Sequence, residues 1–124
     1  MSNIKYNSEQ EAFELPYKLW NKTQLIRFYT DSEESITDNI RNVAMLLEQI
    51  NGGKKKIAEL IAAEGLYRGT VDFLKKVIRI DDIYADIDED GITFCFTVSS
   101  EDGYMEPQAI ELYDEEFEIV GNAF

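Results

Sequence analysis

Three aspartates alternate in "DIDEDGITF", at Asp86, Asp88 and Asp90, and Gly91 follows them. In that order they match the first half of a calcium-binding EF-hand loop, which takes oxygen ligands at its first, third and fifth positions and glycine at its sixth. Such a loop also needs an apolar residue at its eighth position and a bidentate glutamate at its twelfth. Counting from Asp86, those places hold Thr93 and Thr97. Two of the ion's oxygens are therefore missing. The flanking segments "DDIYADID" and "ITFCFTV" alternate with the period of strands, where an EF-hand has helices. No metal and no cofactor are expected.

Other chemistries are narrowed by the absence of histidine. Zinc sites, Ser-His and Cys-His triads and most general-base designs depend on an imidazole that titrates near neutral pH. Cys95 is the only thiol and lies among acids, which raise a thiol's pKa and blunt its nucleophilicity. Carboxylate-only and lysine chemistry stay open, but the chain reads as a protein without catalytic residues. A single cysteine forms no internal disulfide and fits a reducing compartment. The N-terminal "MSNIKYNSEQEAF" lacks the basic-then-apolar order of a signal peptide. No segment holds the roughly 18 consecutive apolar residues of a membrane span. A cytoplasmic location with no membrane partner is the expectation.

Charge is the more informative property. The net value is −13 over 124 residues, with 12 Lys and Arg against 25 Asp and Glu. All 12 bases lie at or before Arg79, and 14 of the 25 acids lie beyond it. An acidic surface keeps proteins apart in solution. A C-terminal third with no counter-charge goes further, because folding gathers its carboxylates into one field at a cost in self-repulsion. That pattern suits a surface for recognising a basic protein partner. Lys54–Lys56 is a run of three bases beside a helix start and reads as a solvated face before it reads as an anion site.

Positioning those acids falls to a simple order of elements. "FELPYKLW" and "TQLIRFYT" alternate as two strands, with a turn at Asn21-Lys22 that sets Leu15 opposite Phe28 and Tyr17 opposite Ile26. Pro16 marks the first of them as an edge strand, and residues 1–12 before it form a candidate disordered arm. Asp31 or Ser32 caps a helix whose apolar stripe runs through Ile36, Ile40, Val43, Leu47 and Ile50 and ends at Gly52-Gly53. A second helix starts near Lys54, with Ile57, Leu60 and Ile61 inward. "TVDFLKKV" is a short third helix from a Thr70 cap. The last third is strand: "DDIYADID", "ITFCFTV", "QAIELY" and "FEIVGNAF". The length fits one domain over residues 1–124, and seven Phe, seven Tyr and one Trp supply a core. The fold class is α+β: an antiparallel sheet, made of an N-terminal hairpin and a C-terminal β-meander, with two or three helices on one face.

Asp90-Gly91 is a strong two-residue hairpin signal. A type I′ turn there pairs Ile87 with Phe94, Ala85 with Phe96 and Ile83 with Val98, all apolar. The opposite face then carries Asp82, Tyr84, Asp86 and Asp88 beside Thr93, Cys95 and Thr97, and alternation adds Glu111 and Tyr113. Tyrosine supplies contact area at low entropic cost and carboxylates supply steering. Asp82, Tyr84, Asp86, Asp88, Glu111 and Tyr113 are accordingly the candidate partner-binding residues.

The stretch "YRGTVDFLKKVIRIDDIYADIDEDGITFCFTV", leading into a last strand that ends "IVGNAF", resembles several small bacterial α+β domain families. The resemblance covers residues 13–124. Members of such families are often immunity proteins of contact-dependent or polymorphic toxin systems. The resemblance implies a protein that binds and neutralises a toxin, commonly a nuclease with a basic active site, without touching nucleic acid itself. The acidic face points separately to a basic protein partner. A different reading is a nucleic-acid mimic, whose carboxylates stand in for phosphates and block a host or defence protein. An enzyme using carboxylates alone is a third.

Overall fold

Alternating and helical periods resolve into eleven elements in the computed structural model, which describes residues 4–122. They are strands β1 (Lys5–Asn7), β2 (Ala12–Leu19) and β3 (Lys22–Tyr29), helices α1 (Glu33–Asp38), α2 (Ile40–Asn51), α3 (Lys54–Ala63) and α4 (Val71–Val77), then strands β4 (Ile78–Asp88), β5 (Gly91–Ser100), β6 (Gln108–Tyr113) and β7 (Glu116–Asn122). The strands form one seven-stranded sheet whose spatial order is the chain order. The fold is α+β, with a mostly antiparallel sheet and four helices.

One joint departs from the antiparallel expectation. β3 and β4 run parallel, with Arg27 beside Tyr84, Phe28 beside Ala85 and Tyr29 beside Asp86. Parallel neighbours need a crossover long enough to bring the chain back to its starting end. All four helices lie in that crossover, between Tyr29 and Ile78.

The helix expected from Asp31 or Ser32 to Gly52 is two helices. It breaks at Asn39, whose backbone leaves the helical region and whose side-chain amide donates to the Ser35 carbonyl at 2.7 Å. Such local side-chain bonding competes with the helical ladder, which is why Asn is weak inside helices. Ser32 takes the N-cap position without a side-chain capping bond. Thr70 caps α4 as expected, its hydroxyl accepting from the Phe73 amide at 3.3 Å. The segment expected as an arm contributes a strand instead: β1 pairs with β2 through Lys5–Glu14, Tyr6–Phe13 and Asn7–Ala12. Met1–Asn3 lie outside the described residues. Pro16 lies beyond the stretch of β2 that β1 covers, so a missing donor there costs that pairing nothing.

Both hairpins keep the expected faces but slip by two residues. In β2–β3 the turn is Trp20-Asn21, with φ of 52° and 64°, and Leu15 pairs with Ile26. Tertiary contacts account for the shift. The Trp20 indole donates to the Ile50 carbonyl at 2.9 Å and the Trp20 amide to Asn51 Oδ1 at 2.9 Å. The Ile50 carbonyl also accepts from the Gly53 amide at 3.1 Å, so Trp20 ties the turn to the C-terminal end of α2. In β4–β5 the turn is Glu89-Asp90, and Asp88 pairs with Gly91. The type I′ expectation required positive φ at Asp90, but the positive value, 127°, falls on Gly91. Asp88 holds the turn by accepting from the Asp90 amide at 2.8 Å.

Inside, the row Phe28–Ala85–Phe94–Leu112–Phe117 crosses five strands. Ala85 is small enough for Phe28 and Phe94 to meet over it edge to face, with centroids 6.2 Å apart. Ile36, Val43, Leu47, Ile50, Ile57, Ile61 and Leu74 of the helices join these side chains in one buried cluster.

Gly91→Val is expected to destabilise the fold by about 1–3 kcal/mol, the usual cost of a strained backbone. A Cβ there meets no atom within 4 Å, so the loss is conformational. Asp88→Asn keeps an acceptor for the Asp90 amide and should change stability little. Urea unfolding of the two variants checks the order.

Candidate functional site

The face opposite the core is built by alternation, one residue from each strand. Lys5, Glu14, Arg27, Tyr84, Cys95, Glu111 and Glu118 are successive cross-strand partners through all seven strands. Charge along this row changes character midway. Lys5, Glu14 and Arg27 alternate in sign on β1–β3. Beyond Cys95 the row ends in Glu111 opposite Glu118, a like-charge pair with no base beside it. Like charges directly opposite one another are destabilising.

Five of the six expected residues come together. Tyr84, Asp86, Asp88, Glu111 and Tyr113, with Tyr29, Thr93 and Cys95, line a shallow depression of about 530 Å³. Asp82 does not join them. It lies in the neighbouring depression beside Gln24, Leu25 and Arg27, and Arg27 Nη2 pairs with its carboxylate at 2.5 Å. The acidic face is therefore not without counter-charge, as the base-free C-terminal third suggested. Arg27 arrives from β3 through the parallel joint.

Arg27 does more than neutralise Asp82. Its guanidinium carbon sits 5.8 Å from the ring centroids of both Tyr29 and Tyr84, and Nη1 donates to the Tyr29 hydroxyl at 3.0 Å. The two tyrosines meet edge to face, with centroids 5.6 Å apart. This cluster makes Tyr84 a half-buried, fixed residue, whereas Tyr113 is 52% exposed. Arg27 and Tyr29 were missed in the sequence. Their alternation with Ile26 and Phe28 marked them as outward-facing, but nothing in it said which strand lay alongside.

The Tyr84 phenol is pushed up to about 12, first by its hydrogen bond with Cys95, then by burial and by negative charge nearby, including Asp86. Burial also raises the Cys95 thiol, and the charges of Glu111 and Asp86 add to it against the opposing bond from Tyr84. Cys95 Sγ lies 4.0 Å from Glu111 Oε2. A thiol so placed keeps its proton and is a poor nucleophile. Among the described residues no group of three or more His, Cys, Asp and Glu is placed to hold a metal, and the segment from Asp86 to Thr97 is a β-hairpin. No described helix is long and apolar enough to cross a membrane. No family model, curated protein or solved structure matches the chain.

Asp82→Asn is expected to destabilise by about 0.2–1 kcal/mol, discounted for exposure and screened by salt, since its partner Arg27 is left without a charge to pair with. Asp86→Asn should be neutral or slightly stabilising, and thermal melts at low and high salt separate the two. A second expectation concerns alkali. The folded chain holds the Tyr84 proton up to about 12, above the ordinary 10.0, so it binds more protons than the unfolded chain between those values. Stability is then full below pH 10.0 and falls as pH rises through about 12. Tyr84→Phe should make that fall shallower in urea titrations at stepped pH.

Proposed function

We propose that this domain binds a basic protein partner through the outer face of β4–β7, and that the partner is a toxin of the nuclease kind which binding neutralises. The domain acts in the cytoplasm, carries no catalysis of its own, and its helices cover the other face of the sheet. One observation carries this reading: Tyr84, Asp86, Asp88, Glu111 and Tyr113 surround one depression, on strands of which β5–β7 contain no Lys or Arg at all. Carboxylates around a shallow aromatic floor steer a basic surface and then grip it. Tyr113 is the anchor, because its ring is exposed. Tyr84 supports the floor, and Asp82 is already paired with Arg27.

A nucleic-acid mimic is less well supported. Mimicry of a phosphate track gains nothing from tyrosines at the centre of the face or from Lys5, Lys18 and Arg27 on its flank.

The test is kinetic. With a captured basic partner, association should slow as salt rises, since screening acts over about 8 Å at physiological ionic strength. Replacing Asp86, Asp88 and Glu111 by amides should slow association and flatten that salt dependence. Tyr113→Ala should instead speed dissociation by about tenfold or more, as loss of an anchor does. The partner's toxic activity should be suppressed in the complex. Competition by DNA or RNA for the partner, with no effect of Tyr113→Ala, would move the assignment to a mimic. A neutral or acidic partner whose affinity ignores salt would overturn the proposal.

A further inference from the structure

The sheet has two edges of unlike character. β1 is three residues long and carries Lys5. β7 is seven residues long, Glu116–Asn122, is regular from Glu116 to Ile119 before its register shifts, and pairs only with β6 among the described residues. An edge strand offers a row of backbone donors and acceptors to any extended chain of suitable character. Beside this edge, between α3 and β7, runs a groove of about 540 Å³ whose lining includes Leu60, Leu66, Phe117 and Ile119 together with Glu64.

The geometry points to β7 as a docking edge that accepts an extended basic segment of the partner as an eighth strand. Side chains of an added strand alternate between faces. Those on the core side would lie over the groove, where Leu60, Leu66, Phe117 and Ile119 favour apolar residues. Those on the other side would lie beside Glu116 and Glu118, and Glu118 already faces Glu111 without a base. Lys or Arg there would relieve that repulsion. The fitting segment alternates basic and apolar residues along the regular stretch Glu116–Ile119. A second copy of this chain is the poorer occupant, because its own edge brings the same acids from a chain of net charge −13. Like charges placed opposite one another disfavour such pairing, so the acids that reject self-association select a basic strand.

The inference rests on the proposed basic partner and names how part of it is held. The probe is a heptapeptide alternating lysine and valine, added to the full chain and followed by amide chemical shifts and hydrogen exchange. Shifts and exchange protection should fall on β7 and on the groove residues of α3. Methylating alternate backbone nitrogens of the peptide should weaken binding by about tenfold or more, because main-chain hydrogen bonds carry affinity in strand addition. Glu116→Lys with Glu118→Lys should weaken it similarly, and both sites are exposed, so the fold is retained. Equal binding of the methylated peptide would overturn the inference, as would shifts confined to the Tyr84–Tyr113 depression. The latter result would leave the outer-face reading standing. Absence of peptide binding, or a dimer whose contacts map to β7, would also overturn it, while the kinetics at Tyr113 decide the outer-face reading on their own.

Discussion

The two halves of the sheet are joined along only three residue pairs, Arg27–Tyr84, Phe28–Ala85 and Tyr29–Asp86, and most of what distinguishes this molecule depends on that joint. On the core side it places Ala85 between two large rings, so that Phe28 and Phe94 close over it. On the outer side it brings a guanidinium from another strand, that of Arg27, to Asp82 of β4. Parallel pairing is slightly weaker per residue than antiparallel pairing and needs a long crossover. Here the crossover contains every helix, and the apolar stripes of those helices enter the same cluster as the inner row of the sheet. The joint is therefore secured by burial on one side and by a cation between two tyrosine rings on the other.

The electrostatic consequences run outward from Arg27. It divides the outer face into a mixed-sign half, on β1–β3, and an acidic half, on β5–β7. The acidic half tolerates Glu111 opposite Glu118 because both are near solvent, where repulsion is weak. Nothing in the fold requires that arrangement, since lysines at either place would suit a sheet surface better. Carboxylates kept together at a cost, around exposed and half-buried tyrosines, are the feature on which the proposed recognition of a basic surface rests. In the same reading, the acids of β7 disfavour pairing of that edge with its own copy, since like charges placed opposite one another are destabilising.

Much of the architecture was legible from alternation alone. The residues facing the core, Leu15, Ile26, Ile83, Ala85, Phe94, Phe96, Ile110 and Leu112, are all buried, and Tyr84, Asp86, Asp88, Glu111 and Tyr113 share the opposite face as the pattern required. Register was less legible. Both hairpins sit two residues from the expected pairing, because each turn is set by side-chain hydrogen bonds as well as the strand ladder: Trp20 with the end of α2, and Asp88 with the Asp90 amide of its own turn. A two-residue slip keeps every side chain on its face, since the period of a strand is two. Face is therefore a property of the local sequence, and partner identity is a property of the turn.

By itself the sequence determined the α+β class, the faces of the strands, the Thr70 cap, the lack of imidazole chemistry and the concentration of acid after Arg79. Each of these follows from residue type and spacing within one element or one hairpin. Tertiary structure alone decided that β3 lies parallel to β4, that Arg27 and Tyr29 enter the acidic face while Asp82 leaves the group of free carboxylates, and that β7 is an open edge beside a groove. The physical reason is distance along the chain. Arg27 and Asp82 are separated by four helices in sequence, and only closure of the crossover over a common core brings the guanidinium within 2.5 Å of the carboxylate.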